Sequence, residues 1–238
     1  MTVAGDESRP PALVLLHGAL GASAQLAPLA EALGDRFSVH RLDFEGHGER
    51  PGGGRAFRIE HFAQNVAEFL RERAIERASL FGFSMGGYAA LYLAATRPPL
   101  VERVATLATK FEWTPDSAAR EAEMLDPARI RAKVPRFADI LAARHAGFGW
   151  EQVLAATRDM MLALGAQPPL TSGALGGIAQ PVRVMVGDRD ATATVEESAA
   201  AARALPAGEL EVLPRTPHPL EKVPLGRLAA SIAEFFGA

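Results

Sequence analysis

Residues 79–87 read Ser-Leu-Phe-Gly-Phe-Ser-Met-Gly-Gly, and this stretch decides the fold. Its first half is an apolar run typical of a buried strand, and the small residues of 86–96 favour a helix. The turn between them carries the pattern G-x-S-x-G over residues 82–86, which places a serine on a sharp strand-to-helix turn. The stretch therefore predicts a strand, a strained turn and a helix, with the Ser84 hydroxyl above the sheet. Taken without its context, the same serine could be a simple helix N-cap.

The same order of strand and helix recurs on both sides of this stretch. Apolar runs typical of buried strands lie at residues 12–16, 37–43, 101–108, 182–186 and 209–213. Apolar residues at helical spacing favour helices at residues 23–33, 59–70, 195–205 and 223–236. This alternation indicates an α/β fold, with a mostly parallel sheet and helices on both faces. Because one core of this size is common in α/β architectures, we predict a single domain over residues 1–238.

The alternation stops between the strands at 101–108 and 182–186. Residues 110–177 show helical patterning and several prolines but no convincing strand, which predicts an inserted helical cap. Its aromatic residues could line an apolar acyl pocket or form the core of the cap: Phe111, Trp113, Phe137, Phe148 and Trp150. Its basic residues leave open a substrate that bears a carboxylate: Arg131, Lys133, Arg136 and Arg144.

Charge and composition exclude several classes of function. The 25 basic and 28 acidic residues give a net charge of −3 and form no basic stripe, so we expect no nucleic-acid partner. The absence of cysteine excludes disulfides, thiolate nucleophiles and cysteine-ligated metals. No stretch approaches the roughly 18 uninterrupted apolar residues of a membrane span, so we expect no membrane partner. The pattern predicts no particular oligomeric state.

The N-terminus bears on the location of the protein. Asp6 and Glu7 lie where a secretory signal would carry basic residues followed by an apolar run. We therefore expect a cytoplasmic protein.

A serine hydroxyl is a poor nucleophile until a base accepts its proton, so Ser84 requires a histidine that an acid orients. Strand-to-helix turns of this kind carry their partners in the chain order serine, acid, histidine. Of the six histidines, four precede Ser84, and His145 lies in the predicted cap. The remaining one, His218, lies in the loop after the last strand, where Pro217 and Pro219 stiffen its surroundings. His218 is therefore the candidate base.

Two carboxylates follow the strand at 182–186, and either is a candidate for the acid that orients His218. Asp188 comes soon after the strand and could brace the turn or pair with Arg189. Asp190 lies farther out in the loop, where it can reach the imidazole nitrogen that faces away from Ser84. We favour Asp190 as the acid.

The segment His-Gly-Ala-Leu at residues 17–20 ends the first strand beside the strand of Ser84. Backbone amides at this edge can stabilise a developing oxyanion, and we expect the two donors to be those of Ala19 and Met85. We interpret His17 as structural and the Glu-Gly-His-Gly-Glu turn at 45–49 as loop-shaping, because further ligands for a metal are missing. No cofactor and no metal site are expected.

In this order and spacing, HGAL (17–20), DFEGHG (43–48), GFSMGG (82–87), GDRD (187–190) and TPHPLE (216–221) resemble the α/β-hydrolase superfamily over nearly the whole chain. The resemblance implies a catalytic triad of Ser84, Asp190 and His218. Many relatives begin with two further antiparallel strands, whereas only residues 1–11 precede the first strand here, which indicates a shortened sheet. The family's usual serine after its G-H-G turn is replaced by Glu49-Arg50, which we expect to affect turn packing. Relatives that dehalogenate alkanes or open epoxides attack with an aspartate, so Ser84 argues against those activities.

The resemblance implies a hydrolase that cleaves a carboxylic ester or related acyl bond of a small molecule through an acyl-enzyme on Ser84, as carboxylesterases do. Thioesters and lactones are neighbouring substrates. Two alternatives remain open. One is C–C bond hydrolysis or elimination with the same triad, as in a menaquinone-pathway synthase. The other is a non-catalytic receptor for a small ligand, as among plant hormone receptors of this superfamily.

Overall fold

The computed structural model describes residues 10–237, which are built around a six-stranded sheet. The strands are β1 (Ala12–Leu16), β2 (Ser38–Leu42), β3 (Ala78–Phe83), β4 (Val101–Leu107), β5 (Val182–Gly187) and β6 (Gly208–Leu213). Their order is β2-β1-β3-β4-β5-β6, and each neighbouring pair is parallel. The predicted α/β fold class is confirmed. Residues 1–9, which carry Asp6 and Glu7, lie outside the described residues, so the cytoplasmic location stays a prediction.

Helices cover both faces of the sheet. One face carries α1 (Ala27–Leu33), which a 3-10 turn at Ser23–Leu26 precedes, and α10 (Leu225–Phe236). The other face carries α2 (Ile59–Glu72), α3 (Met85–Thr96) and α9 (Val195–Ala204). In the part of the chain that the structure describes, no helix combines the length and apolar character needed to cross a membrane.

Strand β1 is apolar throughout because it lies inside the sheet with both of its faces buried. In β1, Leu13 and Leu15 pack among the side chains of α1 and α10, whereas Val14 and Leu16 pack among those of α2 and α3. All four side chains are fully buried. The sheet therefore separates two hydrophobic cores.

Between β4 and β5 the chain forms helices and no strand over residues 110–177, all of them described, which we call the β4–β5 segment. Its helices are α4 (Pro115–Glu123), α5 (Pro127–Lys133), α6 (Pro135–Arg144), α7 (Trp150–Ala166) and α8 (Ser172–Gly176). Proline is the first residue of α4, α5 and α6, a position where its missing N–H costs nothing. The side chains of Thr114 and Asp126 cap α4 and α5. The prolines of this segment thus begin helices.

The order of the strands reverses at β1. The chain passes from β1 to β2 on one side and returns to β3 on the other, so β1 lies between them. In open α/β sheets, ligands bind beyond the carboxyl ends of the strands at such a reversal. Residues 17–20 follow β1 and Ser84 follows β3, so both lie at this point of the sheet.

Candidate active site

Ser84 forms the turn between β3 and α3 in a strained conformation, with φ of 50° and ψ of −115°. A positive φ at a non-glycine residue costs about 1–3 kcal/mol and persists where the surroundings enforce it. Here the Ser84 amide donates to the Leu107 carbonyl at 2.7 Å, and the Ser84 carbonyl accepts from Thr109 Oγ1 at 3.0 Å. The end of β4 therefore holds the turn in place.

The glycines on either side of Ser84 permit backbone contacts that no side chain would allow. A Cβ at Gly82 would lie 2.3 Å from the Gly87 nitrogen, and one at Gly86 would lie 2.6 Å from the Leu16 carbonyl oxygen. Both obstacles are backbone atoms, which cannot rotate away. The G-x-S-x-G pattern is thus required by the packing of α3 against β3 and β1.

His218 and Asp190 lie in direct contact. His218 Nδ1 is 2.8 Å and 3.0 Å from the two carboxylate oxygens of Asp190. The amides of Thr192 and Ala193 also donate to Asp190 Oδ1, at 2.8 Å and 2.9 Å, and fix the carboxylate. The Asp190 side chain is 1% exposed and that of His218 is 27% exposed. His218 therefore has its Nδ1 occupied and its Nε2 on the opposite edge of the ring.

The His218 ring packs against Phe83, the residue before Ser84, with ring centroids 5.4 Å apart. The structure thus brings the ends of β3, β5 and β6 together around Ser84. Within residues 10–237 the Ser84 hydroxyl makes no hydrogen bond. Such contacts are often long in a free enzyme and shorten when substrate binds.

Asp188 points to a different set of partners. Its carboxylate accepts from the Thr216 amide at 3.1 Å and is exposed to solvent. Hydrogen bonds from the backbone, chiefly from the Arg215 amide, hold the pKa of Asp188 below its usual value. Asp188 thus braces the loop after β6, and Asp190 contacts His218.

The orientation of the peptide between Gly18 and Ala19 is set by two hydrogen bonds that its carbonyl oxygen accepts. The Gly18 oxygen accepts from His17 Nδ1 at 2.8 Å and from the Gly21 amide at 3.0 Å. Because the C=O and N–H of a trans peptide point in opposite directions, the Ala19 N–H points away from both donors. Ala19 and Met85 line the same cavity as Ser84. Neither of their amides donates a hydrogen bond to another residue of the described chain.

The peptide between Leu20 and Gly21 is held by the β4–β5 segment. Leu20 has φ of 57°, and its carbonyl accepts from Arg144 Nη1 at 2.8 Å and from His145 Nε2 at 3.0 Å. His145 Nδ1 accepts from the Gly48 amide at 3.1 Å, which assigns the imidazole proton to Nε2. Arg144 was one of four predicted candidates for a substrate carboxylate, and its guanidinium instead binds this loop.

His17 is a buried, neutral histidine with both ring nitrogens hydrogen-bonded. Its Nε2 accepts from the Phe44 amide at 3.2 Å, while its Nδ1 binds the Gly18 carbonyl. Burial lowers the pKa of His17 to about 4. These contacts agree with the structural role that the sequence suggested.

The turn at residues 45–49 is held together internally. Glu45 is buried and accepts from Arg55 Nη2 at 2.8 Å and from Asn65 Nδ2 at 3.2 Å. The His47 ring stacks on Phe57, with centroids 5.0 Å apart. Across the described chain, no three His, Cys, Asp or Glu side chains are grouped as metal ligands.

A cavity with about 440 Å³ of empty space, part of it open to solvent, lies over Ser84. Largely apolar side chains from α2, α3 and the β4–β5 segment form much of the wall: Ile59, Met85, Tyr88, Trp113, Met160 and Leu164. Two charged side chains, Lys110 and Glu121, also line it. The cavity is thus mainly apolar, with one polar region.

Of the five aromatic residues that the sequence offered as pocket lining or as cap core, Trp113 lines this cavity and the other four do not. Phe137 is exposed, and Phe148 stacks on Phe57 with centroids 6.0 Å apart. Trp150 is buried in a small core beneath Arg131. The sequence analysis also missed Lys110 and Glu121. The signal for Lys110 was its place after β4, at the carboxyl edge that carries the site.

A parallel sheet with a serine on a strained turn after β3 and a paired aspartate and histidine after β5 and β6 defines the α/β-hydrolase class of enzymes. Residues 11–149 match the family model described as alpha/beta hydrolase fold, and the chain belongs to that family. It is therefore a hydrolase of this fold.

Two characterised relatives and one solved structure show the range of similarity. The chain is 32% identical over 204 residues to a pimeloyl-[acyl-carrier protein] methyl ester esterase of Xanthomonas campestris, with 76% of this chain and 77% of the relative covered. It is 30% identical to a 2-(acetamidomethylene)succinate hydrolase of Mesorhizobium japonicum, a match that spans 58% of this chain and about half, 48%, of the relative. A thermophilic esterase from Thermogutta terrifontis superposes with a TM-score of 0.78 at 21% identity, covering 96% of this chain and 90% of that one.

Proposed function

We propose that the protein hydrolyses a carboxylic ester of a small molecule through an acyl-enzyme on Ser84. The observation that carries this proposal is the hydrogen bond of 2.8 Å between buried Asp190 and His218, whose ring packs beside the Ser84 turn. An aspartate on Nδ1 holds the imidazole in the tautomer whose Nε2 accepts a proton. Since the His218 ring packs on Phe83, the residue before Ser84, we infer that Nε2 accepts the proton of the Ser84 hydroxyl.

In the first half of the proposed reaction, Ser84 Oγ attacks the ester carbonyl carbon while His218 Nε2 accepts the hydroxyl proton. The tetrahedral intermediate collapses, the C–O bond to the alcohol breaks, and His218 returns the proton to the leaving alkoxide. In the second half, a water molecule gives its proton to His218 and attacks the acyl carbonyl. Collapse then releases the carboxylic acid and restores the Ser84 hydroxyl.

The negatively charged oxygen of each tetrahedral intermediate requires hydrogen-bond donors whose positions are fixed before the reaction. The amides of Ala19 and Met85 have no other partner among the described residues, and both border the cavity at Ser84. Removal of one such donor typically costs about 10²–10³ in rate. We assign the oxyanion site to these two amides.

We further propose that the β4–β5 segment acts as a cap over Ser84. Trp113, Met160 and Leu164 from this segment wall the cavity and give it an apolar character suited to an acyl chain. The enclosed room in this cavity is small, because a water-sized molecule can be centred in only about 50 Å³ of it. We therefore infer a short or medium acyl group. The methyl ester esterase among the relatives, 32% identical to this chain, supports an ester substrate.

The proposal is tested with 4-nitrophenyl esters of increasing acyl length. We expect turnover that is greatest for short or medium chains and that falls by about 10⁴–10⁶ in Ser84→Ala. Ser172→Ala, an exposed serine at the start of α8, is the matched control and should keep wild-type rates. A fully active Ser84→Ala protein, or a folded wild type that turns over no ester, would contradict the proposal.

A further inference from the structure

Two opposite charges lie within the mainly apolar cavity at Ser84. Lys110 follows the end of β4, and Glu121 lies on α4 of the β4–β5 segment. The two side chains are 15% and 16% exposed, so both charges are largely withdrawn from water. Withdrawal of a charge is costly unless hydrogen bonds replace its hydration.

The hydrogen bonds of these two groups are incomplete. An ammonium has three N–H donors, and Lys110 Nζ uses one of them on the Thr192 carbonyl at 3.2 Å. Its distance to Glu121 Oε1 is 4.0 Å, which is too long for a hydrogen bond. Among the described residues, no group donates a hydrogen bond to the Glu121 carboxylate. Both charges therefore have unused hydrogen-bonding capacity beside the cavity.

The opposite charges of Lys110 and Glu121 determine which chemical group of a ligand could bind to both side chains. A group placed against both side chains must accept from Lys110 and donate to Glu121, which a hydroxyl or an amide does. A carboxylate attracted by Lys110 would be repelled by Glu121, and an ammonium attracted by Glu121 would be repelled by Lys110, so neither gains a net attraction from the pair. A methyl group would leave the unused hydrogen-bonding capacity of both side chains unsatisfied.

We propose that Lys110 and Glu121 form a polar subsite that recognises a hydroxyl or amide group on the ester substrate. This inference rests on the proposed hydrolysis at Ser84 and specifies its substrate class. The subsite belongs to the same site because Thr192, the partner of Lys110, also donates its amide to Asp190 at 2.8 Å. The apolar wall holds the hydrocarbon part of the substrate, and the subsite selects its polar group.

The test uses 4-nitrophenyl esters of matched length whose acyl chains end in a methyl, hydroxyl, carboxylate or ammonium group, at several chain lengths. At the length that reaches the subsite, we expect kcat/KM for the hydroxyl ester to exceed that for the methyl ester by about 10- to 100-fold. In Lys110→Met, this ratio should fall to about threefold or less. In Glu121→Gln, the carboxylate ester should gain about tenfold relative to the hydroxyl ester, because the repulsion is removed.

Lys133→Met and Glu123→Gln are the matched controls, since both side chains are exposed on the β4–β5 segment. Their ratios should equal those of the wild type. Equal rates for methyl and hydroxyl esters at every length, or a preference that survives in Lys110→Met, would overturn the proposal.

A binding measurement separates this inference from the chemistry at Ser84. Calorimetric titration of Ser84→Ala with the corresponding methyl esters of the four acids measures the preference without turnover. We expect the hydroxyl compound to bind at least about tenfold more tightly than its methyl-terminated match. Equal affinities would reject the subsite even if the protein is an esterase. Preferential binding without turnover by the wild type would support the subsite and reject the hydrolysis.

Discussion

Asp188 and Asp190 are two residues apart and carry the same functional group, yet they face different parts of the molecule. The Asp190 carboxylate points inward to His218 and two backbone amides, while the Asp188 carboxylate braces the loop after β6. The sequence favoured Asp190 from its distance along the loop and from the resemblance to the α/β-hydrolase superfamily. The direction of each side chain depends on how the loops after β5 and β6 pack, which no local pattern encodes.

We predict that Asp190→Asn lowers kcat by about 10⁴, because an amide holds the imidazole in the wrong tautomer. Asp188→Asn keeps the same shape and should lower kcat by less than about tenfold. Circular dichroism establishes that both variants are folded, and steady-state kinetics measure the difference. The reverse ranking would move the assignment of the acid to Asp188.

Gly86 lies where α3 meets the backbone of β1. We predict that Gly86→Ala lowers the free energy of unfolding by about 1–3 kcal/mol, since a Cβ would lie 2.6 Å from the Leu16 and His17 carbonyl oxygens. Gly226→Ala on α10 is the control, because a Cβ there meets nothing within 4 Å. That variant should be unchanged or more stable by about 0.5–1 kcal/mol. Urea unfolding measures both, and equal effects would contradict the account.

At the scale of elements, the strands of the sheet and the helices that cover it could be predicted from the spacing of apolar residues along the sequence. Strand β1 was predicted at the residues where it occurs, because an apolar run buried on both faces has few alternatives. The bounds of the helices in the β4–β5 segment were not predicted, since a proline serves equally as a breaker or as a first helical residue. The residues that this segment turns toward the cavity depend on how α4 packs against α7. Lys110 and Glu121 were missed for this reason.

The end of α6 contacts the loop after β1 through Arg144, which binds the Leu20 carbonyl. We predict that Arg144→Met lowers kcat by about tenfold or more and changes KM little, because misplaced oxyanion donors affect the transition state more than the bound substrate. Arg136→Met, at an exposed position of the same helix, is the control. A rise in KM with an unchanged kcat would show that Arg144 affects substrate binding instead.

At the scale of the whole molecule, three buried histidines link the loop after β1, the turn at 45–49 and the β4–β5 segment. The His47 ring lies 5.1 Å from that of His17 and 5.6 Å from that of His145. Burial is the main cause that lowers the pKa of all three, with His17 at about 4. The folded protein therefore keeps them neutral at pH values where the unfolded chain protonates them.

Because the folded pKa lies below the unfolded value of about 6.5, the unfolded state binds more protons as the pH falls from 6.5 toward 4. Stability is therefore highest above about pH 6.5 and is lost on acidification. His17 alone should lower the free energy of unfolding by about 2 kcal/mol between pH 7 and pH 5. Urea unfolding at a series of pH values measures the effect. A free energy of unfolding that is constant from pH 7 to pH 5 would contradict it.

The central claim is that His218, oriented by Asp190, activates Ser84, and labelling with a fluorophosphonate tests it most directly. An activated serine reacts with this probe, whereas an ordinary hydroxyl does not. We predict one label per chain, located at Ser84 by peptide mass spectrometry, and a labelling rate that falls by at least about 10³ in His218→Asn. Ser172→Ala should be labelled like the wild type. Absence of label in the folded wild type, label at another residue, or an equal rate in His218→Asn would contradict the claim.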